Sequence, residues 1–400
     1  MDHQARRARN ARICTENEAI IRSGEYRSPG TSARINLASL VTASKGGTKS
    51  YTSGGTGRLL QRWDPSALPP SIVSGPSARA SHPVHATTFE VTAETSTQAA
   101  ERLAAGQAPA IAVLNFASAK HPGGGYLTGA TAQEEDLCRS SALYTTLLAA
   151  RDFYKAHRES SDARYTHRVI WSPDVPVYRD NDYKLLPMPY LVSFITVAAP
   201  NLGPLIKGNA RSLQHIPELL EERAARFLAV AAHHGARTLV LGAWGCGVFQ
   251  NDPVVVARVF RDLLLRPKGL FYGAFEKVVF AIYDPSKEQA TMKAFTAAFA
   301  AAPNVSHYGG DTLKKMRAAV SLPAPGGSST ALASPPGSPP PRSPVPSPPP
   351  VRRDAPTSPQ PSGAAQKAPR TGATPSAGQA ARGGAAKPQR TLFDFGFKQK

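Results

Sequence analysis

Gln133-Glu134-Glu135 begins eight residues after a run of three glycines, Gly123-Gly124-Gly125. An apolar run, Ile111 to Phe116, precedes the glycines and reads as a buried strand, and helical periodicity follows the carboxylates. Glycine admits positive φ and puts no Cβ between main chain and ligand. A glycine-rich turn after a strand, opening towards a helix N-terminus, is a ready seat for an anionic ligand. The two carboxylates add a candidate acid or base. On a helix their side chains diverge by about 100°, so only one faces the pocket fully. The spacing points to hydrolysis or recognition of a phosphate-bearing ligand.

A second glycine-rich block, Leu241-Gly-Ala-Trp-Gly-Cys-Gly-Val-Phe-Gln-Asn251, follows another compact apolar run. Ligands of open α/β sheets bind beyond the carboxyl ends of strands. Both glycine loops leave such ends, and two of them suit a diphosphate clamped from both sides.

Three segments carry a resemblance: Val113 to Tyr126, Ala132 to Ser141, and Leu241 to Asn251. Together they resemble the microbial-type, macrodomain-based branch of the poly(ADP-ribose) glycohydrolase family, over residues from the first helix to about 300. The resemblance implies hydrolysis of ribose–ribose O-glycosidic bonds in poly(ADP-ribose), with release of ADP-ribose. It makes Glu135 the acid/base and gives Glu134 the ligand's ribose hydroxyls. Asn115 looks like the family's ribose-contacting Asn, or else satisfies loop backbone. Gly123, Gly124, Gly125 and Gln133 belong to the first loop's binding pattern. Gly245, Cys246, Gly247 and Val248 form the second phosphate loop, Cys246 as small filler, and Phe249 looks like the aromatic on the terminal ribose. Tyr283 either stacks on adenine or packs in the core. His121 shapes the first loop.

Ordinary glycosidases set two carboxyls ~5–10 Å apart. Here one carboxylate and the substrate's own diphosphate must suffice, and burial must raise the acid's pKa. No His/Cys/Asp cluster has metal-ligand spacing, so neither metal nor cofactor is expected. A non-catalytic ADP-ribose reader using the same loops, and a nucleic-acid-associated scaffold, are the alternatives.

Strands alternating with helices of ordinary length predict an α/β sandwich with a mostly parallel sheet covered on both faces. The resemblance makes that a three-layer α/β/α macrodomain-like sandwich. Residues 1–86 read as a helical extension (helix 5–23, edge strand 33–41) and an irregular insertion at 42–85. The core spans 87–305. It holds a helix over 134–150 with Leu137, Ser141, Tyr144 and Leu148 on one buried face, and short strands at 169–171 and 175–178.

Residues 306–388 read as a disordered linker, since 18 of the 37 prolines lie between Ser321 and Arg390. The chain ends on Gln389-Arg-Thr-Leu392-Phe-Asp-Phe395-Gly396-Phe397. This resembles the PIP-box peptide that docks on the sliding clamp PCNA, with Gln389, Leu392 and Phe395 in register and Phe397 one step late, behind Gly396. Nuclear or nucleo-cytoplasmic localisation would follow.

A formal net charge of +19 favours polyanions, through salt-sensitive contacts: DNA, RNA or poly(ADP-ribose). Four arginines (Arg6, Arg7, Arg9, Arg12) crowd the start, which lacks the apolar core of a secretory signal and leaves a mitochondrial presequence as an alternative. Three scattered cysteines indicate no disulfide framework and fit a reducing compartment. No run reaches the ~20 apolar residues of a membrane span.

Overall fold

A computed structural model describes residues 2–63, 85–208, 213–267, 269–302 and 305–308. The linker beyond 308, the C-terminal peptide and residues 64–84 lie outside them. Eleven helices and ten strands occur among the described residues: α1 (His3–Ser23), β1 (Glu25–Arg27), β2 (Arg34–Asn36), α2 (Ala38–Gly47), β3 (Lys49–Tyr51), α3 (Ser53–Gln61), β4 (Thr88–Thr92), α4 (Ser96–Ala105), β5 (Ile111–Phe116), α5 (Gln133–Ser140), α6 (Leu143–Ala149), α7 (Arg151–Arg158), β6 (Val169–Arg179), β7 (Leu185–Val197), α8 (Leu202–Gly208), α9 (Ile216–His233), β8 (Thr238–Leu241), α10 (Pro253–Leu264), β9 (Lys277–Ala281), α11 (Ala290–Phe299) and β10 (Val305–Tyr308).

Eight strands form one mixed sheet in the order β10-β4-β9-β8-β5-β7-β6-β3. The neighbours from β10 through β7 run parallel, while β6 and β3 are antiparallel to theirs. The alternation along β5 explains the layering. Ala112 and Leu114 point into a core with Phe227, Leu228, Phe260 and Phe299 from α9, α10 and α11. Ile111 and Val113 point into the other, with Leu103, Leu137, Leu143 and Phe153 from α4 to α7. Both faces are therefore covered, as a mostly parallel sheet requires.

Several elements depart from the sequence reading. Residues 33–41 are not one edge strand but the short β2 followed by α2. Residues 42–63, expected to be irregular, continue α2 and supply β3 and α3, with β3 on the sheet's edge. The single helix over 134–150 is two, because Ser141 is extended (φ −142°, ψ 175°) and bridges to Val177. Leu148 is consequently 44% exposed instead of buried. The two short strands at 169–178 are one strand, bent by register shifts between Ser172 and Val175. At the far edge β10 carries the sheet to Tyr308, past the expected boundary at 305.

Candidate active site

The β5–β8 pairing sets the loops after these strands side by side at the strands' carboxyl ends. Phe116, the last residue of β5, lies against Gly242 of the second loop: a Cβ there would come within 3.1 Å of its Cζ. The glycine loops that were far apart in sequence thus share one end of the sheet.

The first loop wraps around the two glutamates. Glu135 Oε1 accepts the Gly125 N–H at 2.7 Å, while its Oε2 is buried and has no hydrogen-bond partner among the described residues. Glu134 is held through both oxygens, Oε2 by the Ser118 N–H at 2.7 Å and Oε1 by Asn115 Nδ2 at 3.3 Å. Burial pushes the Glu134 carboxyl up to about 8, against the lowering effect of these bonds, and the Glu135 charge adds to the rise. The fold thus biases Glu134 towards its protonated form. Gly124 (φ +58°) passes so close that a Cβ on it would strike the Glu135 carboxylate. Only glycine combines that backbone with that approach.

Asn115 is fully buried, tied to Thr196 Oγ1 at 3.1 Å as well as to Glu134, and its Oδ1 has no partner. Gln133 does something the sequence did not disclose. Its amide donates to Leu114 O at 2.7 Å and Ser96 Oγ at 3.0 Å, and accepts the Phe116 N–H at 2.9 Å. Both of its N–H donors are thus engaged, so Gln133 clamps α5 to β5 and positions the glutamates instead of offering its amide to a ligand. His121 is exposed, and its carbonyl accepts the Gly124 N–H at 3.0 Å, which fits a loop-shaping residue.

In the second loop, Gly245 (φ +75°) packs where a Cβ would meet Asn251 Nδ2 at 2.6 Å. Asn251, which sequence reasoning passed over, is buried and donates to Pro200 O and Gly245 O at 2.8 and 3.1 Å. It ties this loop to the end of β7. Gly247 faces open space and Val248 is 58% exposed. Phe249 looks in the sequence like the aromatic on the terminal ribose. It is half-buried, packs on the core and lies 6.0 Å from the Tyr165 ring. Cys246 is half-buried, and burial pushes its thiol up to about 12, which suits a filler and not a nucleophile. Tyr283 is 68% exposed, so it does not pack in the core.

The N-terminal helix, expected to be an extension, is part of the site's scaffold. Asn10 Nδ2 donates to Gly129 O at 3.2 Å, and the Cys14 thiol donates to Tyr126 O at 3.0 Å. Asn17 is buried between Arg139 O (2.8 Å), Tyr126 OH (3.3 Å) and Arg179 Nε (2.7 Å). These contacts fasten the 3₁₀ turn Tyr126–Thr128 that follows the glycines. No sequence signal linked α1 to residues more than a hundred positions away. Among the described residues no group of three or more His, Cys, Asp and Glu is placed to hold a metal ion.

Residues 14–180 match the family described as microbial-type PARG, catalytic domain. The chain is 41% identical to the poly(ADP-ribose) glycohydrolase of Thermomonospora curvata, whose structure was solved bound to the inhibitor ADP-HPD. That match covers 73% of this chain and 100% of the other, with a TM-score of 0.64. The poly(ADP-ribose) glycohydrolase of Deinococcus radiodurans, solved in complex with ADP-ribose, is 43% identical over 66% of this chain and 98% of its own, with a TM-score of 0.59. None of the curated proteins compared with the chain matches it. Identity at this level over the whole length of a solved relative, joined to a glycine loop wrapped around a buried glutamate pair and a second glycine loop at the same end of the sheet, shows that the chain belongs to the microbial-type poly(ADP-ribose) glycohydrolase family.

Proposed function

We propose that the chain hydrolyses the ribose–ribose O-glycosidic bond of poly(ADP-ribose) and releases ADP-ribose, with Glu135 as acid and base. The observation that carries this reading is the asymmetry of the Glu135 carboxyl, one oxygen fixed by Gly125 and the other buried and unpartnered. A fixed carboxyl with one free oxygen can deliver a proton along a defined line. Glu135 gives that proton to the leaving ribose oxygen as its bond to the anomeric carbon breaks and that carbon takes on oxocarbenium character. The leaving ribose departs as an alcohol. The carboxylate then takes a proton from the water that attacks the anomeric carbon, which restores the acid and completes the hydrolysis.

Burial biases Glu134 towards its protonated form, which lessens the negative charge beside the carboxyl that cycles. Held by Ser118 and Asn115, it is the residue placed to meet ribose hydroxyls, with Asn115 alongside. The diphosphate lies between Gly123–Gly125 and Gly245–Gly247, Phe249 borders the terminal ribose, and the exposed Tyr283 stacks on adenine. The test is to incubate the protein with poly(ADP-ribose) and separate the products: ADP-ribose is expected, and unchanged chains would contradict the reading.

The C-terminal peptide gives the second part of the proposal. Gln389, Leu392, Phe395 and Phe397 dock on a PCNA-type sliding clamp, with the basic tail adding nonspecific nucleic-acid contact. Apolar and aromatic residues return there after a long Pro/Ser/Ala/Gly stretch, which supports a docking peptide over a solvated end. This places the protein in the nucleus or nucleo-cytoplasm, near replication and repair. Fluorescence anisotropy of a labelled 386–400 peptide with purified clamp tests it. Saturable binding lost in Leu392→Ala/Phe395→Ala is expected, and no binding at tens of micromolar would sink it.

A further inference from the structure

The amino-terminal half of α1 breaks a local rule of helix electrostatics. Arg6, Arg7, Arg9 and Arg12 stand in its first ten residues, and its first turn contains no acidic residue. A cation in a helix's first turn opposes the macrodipole, by roughly 0.3–1 kcal/mol when exposed, and Arg6 stands there. Among the described residues none of the four pairs with a carboxylate. Neighbouring carboxylates are committed elsewhere. Asp2 caps the helix through the Ala5 N–H, Glu16 pairs with Arg179 at 3.1 Å, and Asp182 reaches Lys184. Arg7 and Arg9 do form hydrogen bonds, but to neutral acceptors: Arg7 to Thr128 O and Oγ1, Arg9 to the main-chain carbonyl of Asp182. Arg9 also lies over the Tyr183 ring, 5.7 Å from its centroid, so neither guanidinium has an anionic partner among the described residues.

One of the four, Arg7, lies against the catalytic loop. Thr128, which receives Arg7, donates from N and Oγ1 to the Gly125 carbonyl at 3.1 and 3.0 Å, and Gly125 binds Glu135. Only these two residues separate the Arg7 guanidinium from the catalytic carboxyl. Where folding is opposed by a feature, function is the usual reason for it.

We propose that the cationic end of α1 is a secondary binding surface for the polymer, engaging the diphosphates of chain units beyond the one held between the glycine loops. The proposal rests on the glycohydrolase reading for its ligand. A repeating polyanion fits better than a small anion. The arginines are spread over nearly two helical turns, and two of them, Arg6 and Arg12, are exposed and have no hydrogen-bond or ion-pair partner among the described residues. Arg7 and Arg9 anchor the helix and add to the field.

The test is Arg6→Glu/Arg12→Glu in the full chain, combined with Glu135→Gln so that ligands are not consumed. Glutamate suits a helix N-terminal half, so thermal stability should hold or rise. Affinity for free ADP-ribose, which fills the pocket alone, should change less than twofold. Affinity for chains of twenty or more units should fall about tenfold or more, with a shallower salt dependence. Unchanged long-chain affinity, or equal weakening of both ligands, would overturn the proposal. So would a loss confined to single-stranded DNA of similar length. Failure of the glycohydrolase reading would instead appear as wild-type protein that releases nothing, while these affinities still decide the role of α1.

Discussion

Gly125 donates its main-chain N–H to Glu135 Oε1 at 2.7 Å, leaving Oε2 of the same carboxyl buried without a partner. The glycine run thus holds one oxygen of the proposed acid. It orients the acid, so backbone changes in the loop should act on catalysis directly.

Gly124→Ala tests that link. The new Cβ would enter the Glu135 carboxylate, and the residue's φ of +58° disfavours alanine. Strain of about 1–2 kcal/mol is expected in the fold. The kcat should fall 100-fold or more, because Glu135 must turn away. Steady-state kinetics and a thermal melt measured together check both. Retention of kcat within threefold would show that the loop does not set the acid.

Glu134 predicts a pH dependence of stability. Its folded pKa, about 8, lies above the ordinary carboxylate value, so the fold favours its protonated form. That contribution is complete below about pH 4.5 and is lost as pH rises through 8. Glu134→Gln, neutral at every pH, removes the dependence. Denaturant melts from pH 5 to 9 should show wild type losing at least about 1 kcal/mol more than the variant, one pK unit's worth. Parallel curves would contradict the assignment.

Asn17 joins α1 to Tyr126 of the turn after the glycines, to Arg139 of α5 and to Arg179 of β6 through three buried hydrogen bonds. Asn17→Ala strands their partners and should cost ~2–3 kcal/mol. Activity at low temperature, where the protein stays folded, should still drop several-fold, because the 3₁₀ turn loosens. Full activity in the folded variant would reduce α1 to a structural appendage.

Cys246 sits in the second loop with its thiol pushed up to about 12. At pH 7.5 it should resist iodoacetamide, and Cys246→Ala should keep kcat within about twofold. A large loss of kcat with KM unchanged would give the thiol a chemical role it lacks in this account.

Much of this site was legible in the sequence because it is local. The glycines, the glutamate pair and the second loop are short blocks with strong backbone requirements, and parallel strands bring their carboxyl ends together. What could not be read depends on distant partners. Gln133 looks like a ligand-binding amide until Leu114, Ser96 and Phe116 are seen to occupy it. Asn251 looks like a loop residue until Pro200 arrives from the segment after β7. The break at Ser141 was hidden for a related reason. Its hydroxyl bonds Leu137 O and receives the Leu143 N–H, so serine replaces helix geometry with its own hydrogen bonds. In α2 and α3, glycine-rich composition masked helices that exist through packing on β6 and α9.

The central claim is tested most directly by Glu135→Gln assayed beside wild type on poly(ADP-ribose), with ADP-ribose affinity measured for both. Glutamine keeps the size of the side chain and an acceptor for the Gly125 N–H, but has no acidic proton. Wild type should release ADP-ribose, while the variant should bind it within about threefold and release at least 1,000-fold more slowly. Release by the variant at a rate near wild type would contradict the assignment of Glu135 as the acid and base.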